Sequence, residues 1–394
     1  MARTSNKASE KQIKQLKEHV VLKAGFVIQN PIDCERLSDL IFKKTKFYIS
    51  SATLKRFMGF YNSGFKPSYQ TLEILSVFCG FDGWDDYANP NKKVEPVTIE
   101  ELTFFKNIFN LKDYSDIADH DETMQMVSRR IAERLREDPK AFETILPDLA
   151  KNKLAQVFYF EHFPDYDNLV SFQHKGYTEY LKHKKTPEAQ VFGNCILFFG
   201  AFLSADNILM EQYYEKLMQI EIPDDIHPMP LGRYYQCLIL FQHFVEEKPI
   251  DNILKQIYAI EKRLPRIGLH FKNFPGLHYF VADALILSGY YKDALKIIDL
   301  ATKNYSIYRE FVWKGYYRQF QLMMAEAYFH LKKTKKAEQL LKKINPEKFY
   351  FISRKYFTTR RNLLLIQLNK ENSNLKKETN ELINKHSFLI LKRN

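Results

Sequence analysis

The sequence predicts an all-α protein, with a small helical head followed by a long array of helical hairpins. Three observations carry that prediction. Glycine is scarce (13 of 394) while Phe (32) and Tyr (24) abound, a balance that favours helices joined by short polar turns over sheets or glycine-rich loops. Apolar residues recur at three- and four-residue steps almost throughout. A set of small residues repeats at a fixed offset near the C-terminus.

The first helix is expected over Glu10–Phe26, where Ile13, Leu16, Val20, Ala24 and Val27 form one stripe and Lys11, Lys14 and Lys17 stand outside it. Asn30-Pro31 ends it, because a residue before proline is pushed out of the α region. A second helix is expected from Asp33 to Lys43, burying Leu37, Leu40 and Ile41, followed by a turn over Lys44–Ile49. Ser50 opens a third helix that runs to Gly59. Its Leu54, Phe57 and Met58 face inward, and Ser51, Ala52, Lys55 and Arg56 face out. A turn around Gly64–Pro67 leads to a fourth helix, capped by Ser68 and ended by Gly80, with Trp84 and Tyr87 folding back onto the head. Asn89–Lys93 reads as a linker.

From Val97 onward the pattern is helix after helix. Ala282, Ala284, Ala294 and Ile297-Ile298 match Ala325, Ala327, Ala337 and Leu340-Leu341, each pair offset by 43 residues. Small residues at these places let antiparallel helices approach closely, the packing logic of tetratricopeptide-type hairpins, whose usual repeat is about 34 residues. The longer offset implies long helices or an inserted loop around Trp313–Tyr316. Gly193–Leu203 with Ile208–Ile220, and Arg233–Val245 with Ile250–Arg263, fit the same hairpin without the alanines. Ser373–His386 reads as a polar closing helix.

Chemistry is excluded more readily than assigned. No GxGxxG, GxxxxGK[ST], HExxH or GxSxG occurs, so no catalytic residue, cofactor or metal is expected. Asp119-His120-Asp121-Glu122 reads as an acidic cap for a helix over Met124–Leu135 and not as a ligand cluster. Glu161-His162, between phenylalanines, reads as a packed pair. Cys34, Cys79, Cys195 and Cys237 are widely spaced among apolar residues and are expected as free buried thiols. With no signal-peptide core and no run of about eighteen apolar residues, a cytoplasmic protein away from membranes is expected.

Charge is unevenly placed. The net is +12 for the chain. Residues 1–93 hold 15 Lys and Arg against 9 Asp and Glu, residues 331–394 hold 17 against 5, and the stretch between is acidic. Such asymmetry implies a directed field.

The head resembles the phage-repressor (Xre/Cro-type) helix-turn-helix family over residues 32–88, on Leu37-Ser38, on Ile49-Ser50-Ser51-Ala52-Thr53-Leu54-Lys55-Arg56-Phe57-Met58-Gly59, and on Lys66-Pro67-Ser68 with Leu72, Leu75 and Gly80. The resemblance implies that Ser51, Ala52 and Lys55 contact bases and that Ser50 caps the probe helix. Arg56 would reach phosphate or guanine, and Lys43, Lys44, Lys46 and Lys66 would flank the site as phosphate contacts. Two places depart from the family: the segment Asp39–Tyr48 is longer than its tight turn, and Cys34 stands where it has a glutamine that bonds to DNA. A helix-turn-helix head on helical repeats resembles bacterial regulators whose array senses a peptide or holds a dimer. In that case Tyr234, Tyr235, Tyr279, Tyr290, Tyr291, Tyr316 and Tyr317 are candidates to line a groove.

The expected domains are a DNA-binding head (1–88), a linker (89–98), a tetratricopeptide-like α-solenoid (99–372) and a basic closing helix and tail (373–394). The expected function is a homodimeric DNA-binding transcriptional regulator, with duplex DNA as partner and a peptide or protein as possible ligand of the array. One alternative is a protein–protein interaction scaffold with a vestigial head. Another is nucleic-acid binding by the basic stretch Lys332–Lys343 with Arg354–Arg361.

Overall fold

The computed structural model describes residues 8–45, 47–61, 66–81, 83–88, 95–110, 121–262, 276–303, 310–368 and 373–392, among which helices joined by turns and irregular segments are found and no strand. The chain divides into two compact units, Met1–Glu95 and Pro96–Asn394. The expected turn around Gly64–Pro67, the linker Asn89–Lys93 and the pair Asp119-His120 lie wholly or largely outside the described residues.

The first unit packs five helices: α1 (Glu10–Ala24), α2 (Asp33–Thr45), α3 (Ser51–Met58), α4 (Tyr69–Cys79) and α5 (Trp84–Ala88). Ser9 and Gln12 close a capping box at the start of α1. The helix stops two residues earlier than its apolar stripe suggests, because Gly25 takes a left-handed conformation at φ +74°. α2 runs two residues further than expected. The Thr45 hydroxyl donates to the Ile41 carbonyl at 2.8 Å and extends the last turn. Leu16, Val20, Leu37, Ile41, Leu54, Phe57, Leu75 and Trp84 form one core. Trp84 and Tyr87 fold back as expected, with the Trp84 N–H donating to Glu73 at 2.7 Å and the Tyr87 hydroxyl bonded to His19 at 3.0 Å.

The second unit opens with α6 (Ile99–Phe109), α7 (Glu122–Leu135) and α8 (Pro139–Lys151). Asp121 caps α7 by accepting the Met124 N–H at 2.7 Å, as its acidic start implied. α9 (Lys153–Ala155) passes directly into a π-helical turn, Gln156–Glu161. There His162 stacks on Phe158 and bonds to the Val157 carbonyl, while Glu161 accepts from Tyr180 and Lys184.

Pairs of antiparallel helices follow: α10 (Phe172–His183), then α11 (Pro187–Leu203) with α12 (Asn207–Met218), α13 (Pro228–Phe244) with α14 (Asp251–Glu261), α15 (Gly276–Leu287) with α16 (Tyr291–Lys303), and α17 (Glu310–His330) with α18 (Thr334–Leu341). The first helix of each pair packs on the first helix of the next, α11 on α13, α13 on α15 and α15 on α17. All six alanines of the 43-residue offset are fully buried. The extra length resides in α17, which is 21 residues long against 12 for α15. Close approach is sharpest where α13 meets α15. A β-carbon on Gly232 would stand 2.5 Å from the Gly276 carbonyl oxygen and 2.7 Å from Leu277 Cα.

The chain then returns. α19 (Arg354–Leu368) and α20 (Ser373–His386) pack together, and the turn Leu389–Lys392 packs on α11. The Asp167 carboxylate accepts the N–H groups of Lys355 and Tyr356 at 3.1 and 3.0 Å, so it satisfies the open amides at the start of α19. It also holds the Arg136 guanidinium at 3.0 Å, and Arg136 donates to the Phe351 carbonyl at 2.6 Å. His386 donates to the Asp167 carbonyl at 2.7 Å. Phe388, Ile390 and Leu391 are buried in the same core as α11. The segment 388–391 is therefore packed into the unit.

Arg360 of α19 is buried between Glu326 of α17, which it holds with two bonds at 3.0 and 2.6 Å, and Asp283 of α15. Asp283 also accepts from Gln236 of α13 and Tyr356 of α19. Burial pushes both carboxyls up from their ordinary values, and Arg360 pulls them back.

Two measurements follow from this packing. Gly232→Ala must move backbone against backbone, so thermal unfolding should show a loss of about 1–3 kcal/mol, and an unchanged melting temperature would refute the close approach. Burial also pushes the Asp165 carboxyl, beside Arg136, up to about 7. A raised folded value means that the folded chain binds this proton more tightly than the unfolded chain. The associated stability is complete below the ordinary value of 3.8 and is lost as pH rises through about 7. Wild type should therefore lose stability relative to Asp165→Asn between pH about 4 and about 7 in urea titrations, and a pH-independent difference would contradict it.

Candidate nucleic-acid interface

The site expected from sequence centres on α3. Ser50 has extended backbone and its hydroxyl accepts the Thr53 N–H at 3.2 Å, which makes it the cap that the sequence implies. Gly59 ends the helix in the left-handed region at φ +93°. Leu54 and Phe57 are buried. Ala52 and Arg56, four residues apart, lie on the opposite ridge and are exposed. Ser51 is half-buried beside them.

The connection between α2 and α3 is short, because the length noted in Asp39–Tyr48 is absorbed into α2. The Ser38 hydroxyl, buried, donates to the Ile49 carbonyl at 2.6 Å, and Ile49 is itself buried. This bond ties the turn to α2 one residue before the cap. Cys34 is buried on the inner face of α2, so its side chain is committed to the core.

The cations do not gather on one face. Lys55, expected to point freely outward, is half-buried, and its ammonium pairs with Glu35 of α2 at 3.1 Å. That pairing uses the flank of α3 that turns back toward α2. Lys44 reaches the other way, over the Phe78 ring at 5.3 Å and toward the Lys23 carbonyl at 3.4 Å. Partial burial, then the charge of Lys23, holds its pKa below the ordinary lysine value. Lys43 lines a shallow depression of about 260 Å³ with Ala24, Phe26, Arg36, Asp39 and Leu40. Lys66 is exposed ahead of α4, and Lys46 lies outside the described residues. Lys17, which the sequence placed only on the outside of α1, stands 5.7 Å above the Phe57 ring, close to the C-terminal end of α3, where a cation suits the helix dipole. Around α3 the structure thus assembles Lys17, Lys55 and Arg56, while Lys23 and Lys44 meet at the end of α4.

The expected tyrosine groove is largely occupied. Tyr235 and Tyr279 are buried, Tyr234, Tyr290, Tyr291 and Tyr316 are half-buried, and only Tyr317 of that set is exposed. Tyr279 bonds to Gln319, which bonds to Ser353, so these side chains are spent on packing. In the basic stretch, Arg360 is fully buried in its carboxylates and Arg361 is half-buried, whereas Lys332, Lys333, Lys335, Lys336, Lys342 and Lys343 are exposed. Among the described residues no group of three or more His, Cys, Asp or Glu is placed to hold a metal ion, and no helix is long and apolar enough to cross a membrane. Comparison with family models, curated proteins and solved structures finds no significant match to this chain.

The Ser38–Ile49 bond fixes the turn that leads into α3. Its removal in Ser38→Ala strands a buried carbonyl, at a cost of about 1–3 kcal/mol. Hydrogen exchange should show faster exchange of the α3 amides than in wild type, and equal protection would show that the turn is held by packing alone.

Proposed function

We propose that the head binds duplex DNA through the outer ridge of α3, and that the helical pairs form a tetratricopeptide-like α-solenoid serving dimerisation or partner contact in a cytoplasmic transcriptional regulator. The observation that carries the reading is a short helix capped by Ser50, seated by Leu54 and Phe57, with small and cationic residues on its opposite ridge. Ala52 permits close approach to base edges and Arg56 has the fork that pairs with guanine or phosphate. Ser51 and the open amides at the start of α3 suit a phosphate. The net positive charge of residues 1–93 favours a polyanion. A helix of eight residues reads only a few base pairs, so two copies are needed for an operator of useful length.

The scaffold reading is favoured by a specific observation. Lys55 and Lys44 are engaged within the head, by Glu35 and by the Lys23 carbonyl with the Phe78 ring, which leaves a thinner cationic surface than the sequence alone suggests.

Fluorescence anisotropy with a random duplex of about 20 base pairs separates the two. The regulator reading expects affinity to fall at least about tenfold between about 50 and about 200 mM salt, and Arg56→Glu to weaken binding about tenfold or more. Lys55→Glu is a poor probe, since it sets two carboxylates side by side at Glu35. Absence of binding at low salt would leave the scaffold in its place, and binding indifferent to Arg56→Glu would move the contact to the exposed lysines of Lys332–Lys343.

A further inference from the structure

The last helical pair differs from the pair before it in the charge of its second helix. On α16, Lys296 pairs with Asp293 at 3.0 Å and Lys303 with Asp299 at 2.6 Å, so that helix neutralises its own surface. The 43-residue offset carries α16 onto α18. There Lys336 stands where α16 has Asp293, Lys342 where it has Asp299, and Lys335 where it has Lys292. The stretch 332–343 thus holds six lysines against one carboxylate, Glu338. All six are exposed, and among the described residues no carboxylate pairs with any of them.

Helical spacing brings these cations together. Ala337 and Leu341 seat α18 in the core. Residues seven apart lie two turns apart on one ridge, so Lys335 and Lys342 share the ridge turned from the core, and Lys336 and Lys343 share the next. Lys342 and Lys343 continue the spiral, their N–H groups donating to the Glu338 and Leu340 carbonyls at 3.0 and 2.9 Å. Lys333 and Lys336 place their ammonium groups 6.0 and 5.5 Å from the same ring, that of Tyr328.

The face offers charge and little else. From 318 to 388 no described large apolar side chain is exposed, and Tyr328 is half-buried. Unpaired bases find no open ring to stack on, and a membrane finds no apolar side chain to take up. A protein partner finds neither an aromatic nor an arginine anchor on α18. A duplex needs none of these. It carries one charge per about 1.7 Å, so it brings roughly nine phosphates to the roughly 16 Å that the lysines span. Ammonium groups on flexible stems meet phosphates as point charges, without fixed geometry.

We propose that the lysine face of α18 binds duplex DNA through its phosphates without regard to sequence, as a site of the second unit. This goes beyond the reading of α3 and does not rest on it.

The test titrates the full chain by anisotropy with a random matched duplex of about 20 base pairs between about 50 and about 200 mM salt. Wild type is compared with Arg56→Glu, with Lys335→Glu/Lys336→Glu/Lys342→Glu/Lys343→Glu, and with the same four positions changed to arginine. Circular dichroism verifies each fold. The glutamate variant should weaken low-salt binding at least about tenfold and lower the logarithmic salt slope by about three, since each phosphate contributes about 0.9. The arginine variant should keep both. Unchanged affinity and slope in the glutamate variant overturn the lysine face, and the reading of α3 then stands if Arg56→Glu still weakens binding. Loss in the glutamate variant with none in Arg56→Glu keeps the lysine face and overturns α3. Oligo-dT of about fifteen nucleotides, polyglutamate or phosphatidylserine vesicles bound as tightly as the duplex overturn duplex DNA as the occupant. No binding of the duplex by wild type at low salt overturns both sites.

Discussion

The second unit depends on one buried ionic knot. Arg360 reaches from α19 to Asp283 on α15 and Glu326 on α17, and Asp283 extends the knot to Gln236 on α13. Four helices far apart in the chain are thus put in register by one guanidinium. Desolvating three charges is expensive, and the attraction between them repays that cost only in good geometry. The net stabilisation is small, but the penalty for any arrangement that leaves one of these charges unpaired is large. The knot therefore selects one packing over near-equivalent ones, a need that is acute in an array whose successive helices resemble each other.

With the register fixed, small residues become usable. Gly232 lets α13 and α15 meet backbone to backbone, and the alanines at the 43-residue offset do the same for the later pairs. The return of the chain through Asp167, Arg136 and His386 then covers the ends of the early helices. The same packing buries Tyr235 and Tyr279 of the tyrosines that the sequence offers as a groove. Aromatic side chains at helical spacing inside such an array serve first as filling, since each buries a large apolar area and needs one polar partner for its hydroxyl. Tyr279, held by Gln319, meets both requirements without a ligand.

Much of this was legible in the sequence, and the reasons are local. Ser50, Ser68 and Asp121 announce helix starts because capping is a contact over three residues. Gly59 and Gly80 announce ends because their left-handed backbone favours glycine. The buried alanines were found by their periodicity. What escaped depends on contacts between distant parts of the chain. Asp283 and Arg360 are 77 positions apart, and Asp167 and His386 are 219 apart. A charged residue in an apolar run was the available signal, but nothing in the sequence names its partner. The π-helical turn at Gln156–Glu161 had no local signature either. At the candidate interface, the cap and buried face of α3 were readable, while the fate of each lysine was not, because a long flexible side chain takes whichever carboxylate or carbonyl the tertiary fold brings near.

That last point bears on how a basic head should be read. Net charge sets the long-range attraction for a polyanion, and it is unaffected by where each ammonium rests. Short-range affinity needs cations free to leave their intramolecular partners. The Lys55–Glu35 pair has its carboxylate in solvent and is partly screened by salt, so a phosphate can compete for Lys55 at modest cost. Lys44 is exposed, and its ammonium lies 5.3 Å from the Phe78 ring and 3.4 Å from the Lys23 carbonyl, weak contacts that a phosphate can also displace. The head thus grades its cations: Arg56 and Lys43 stand available, while Lys44 and Lys55 are released from partners within the head. Under the proposed DNA-binding reading, such a surface would draw in a polyanion through its overall field while few cations stand ready to pair with phosphate.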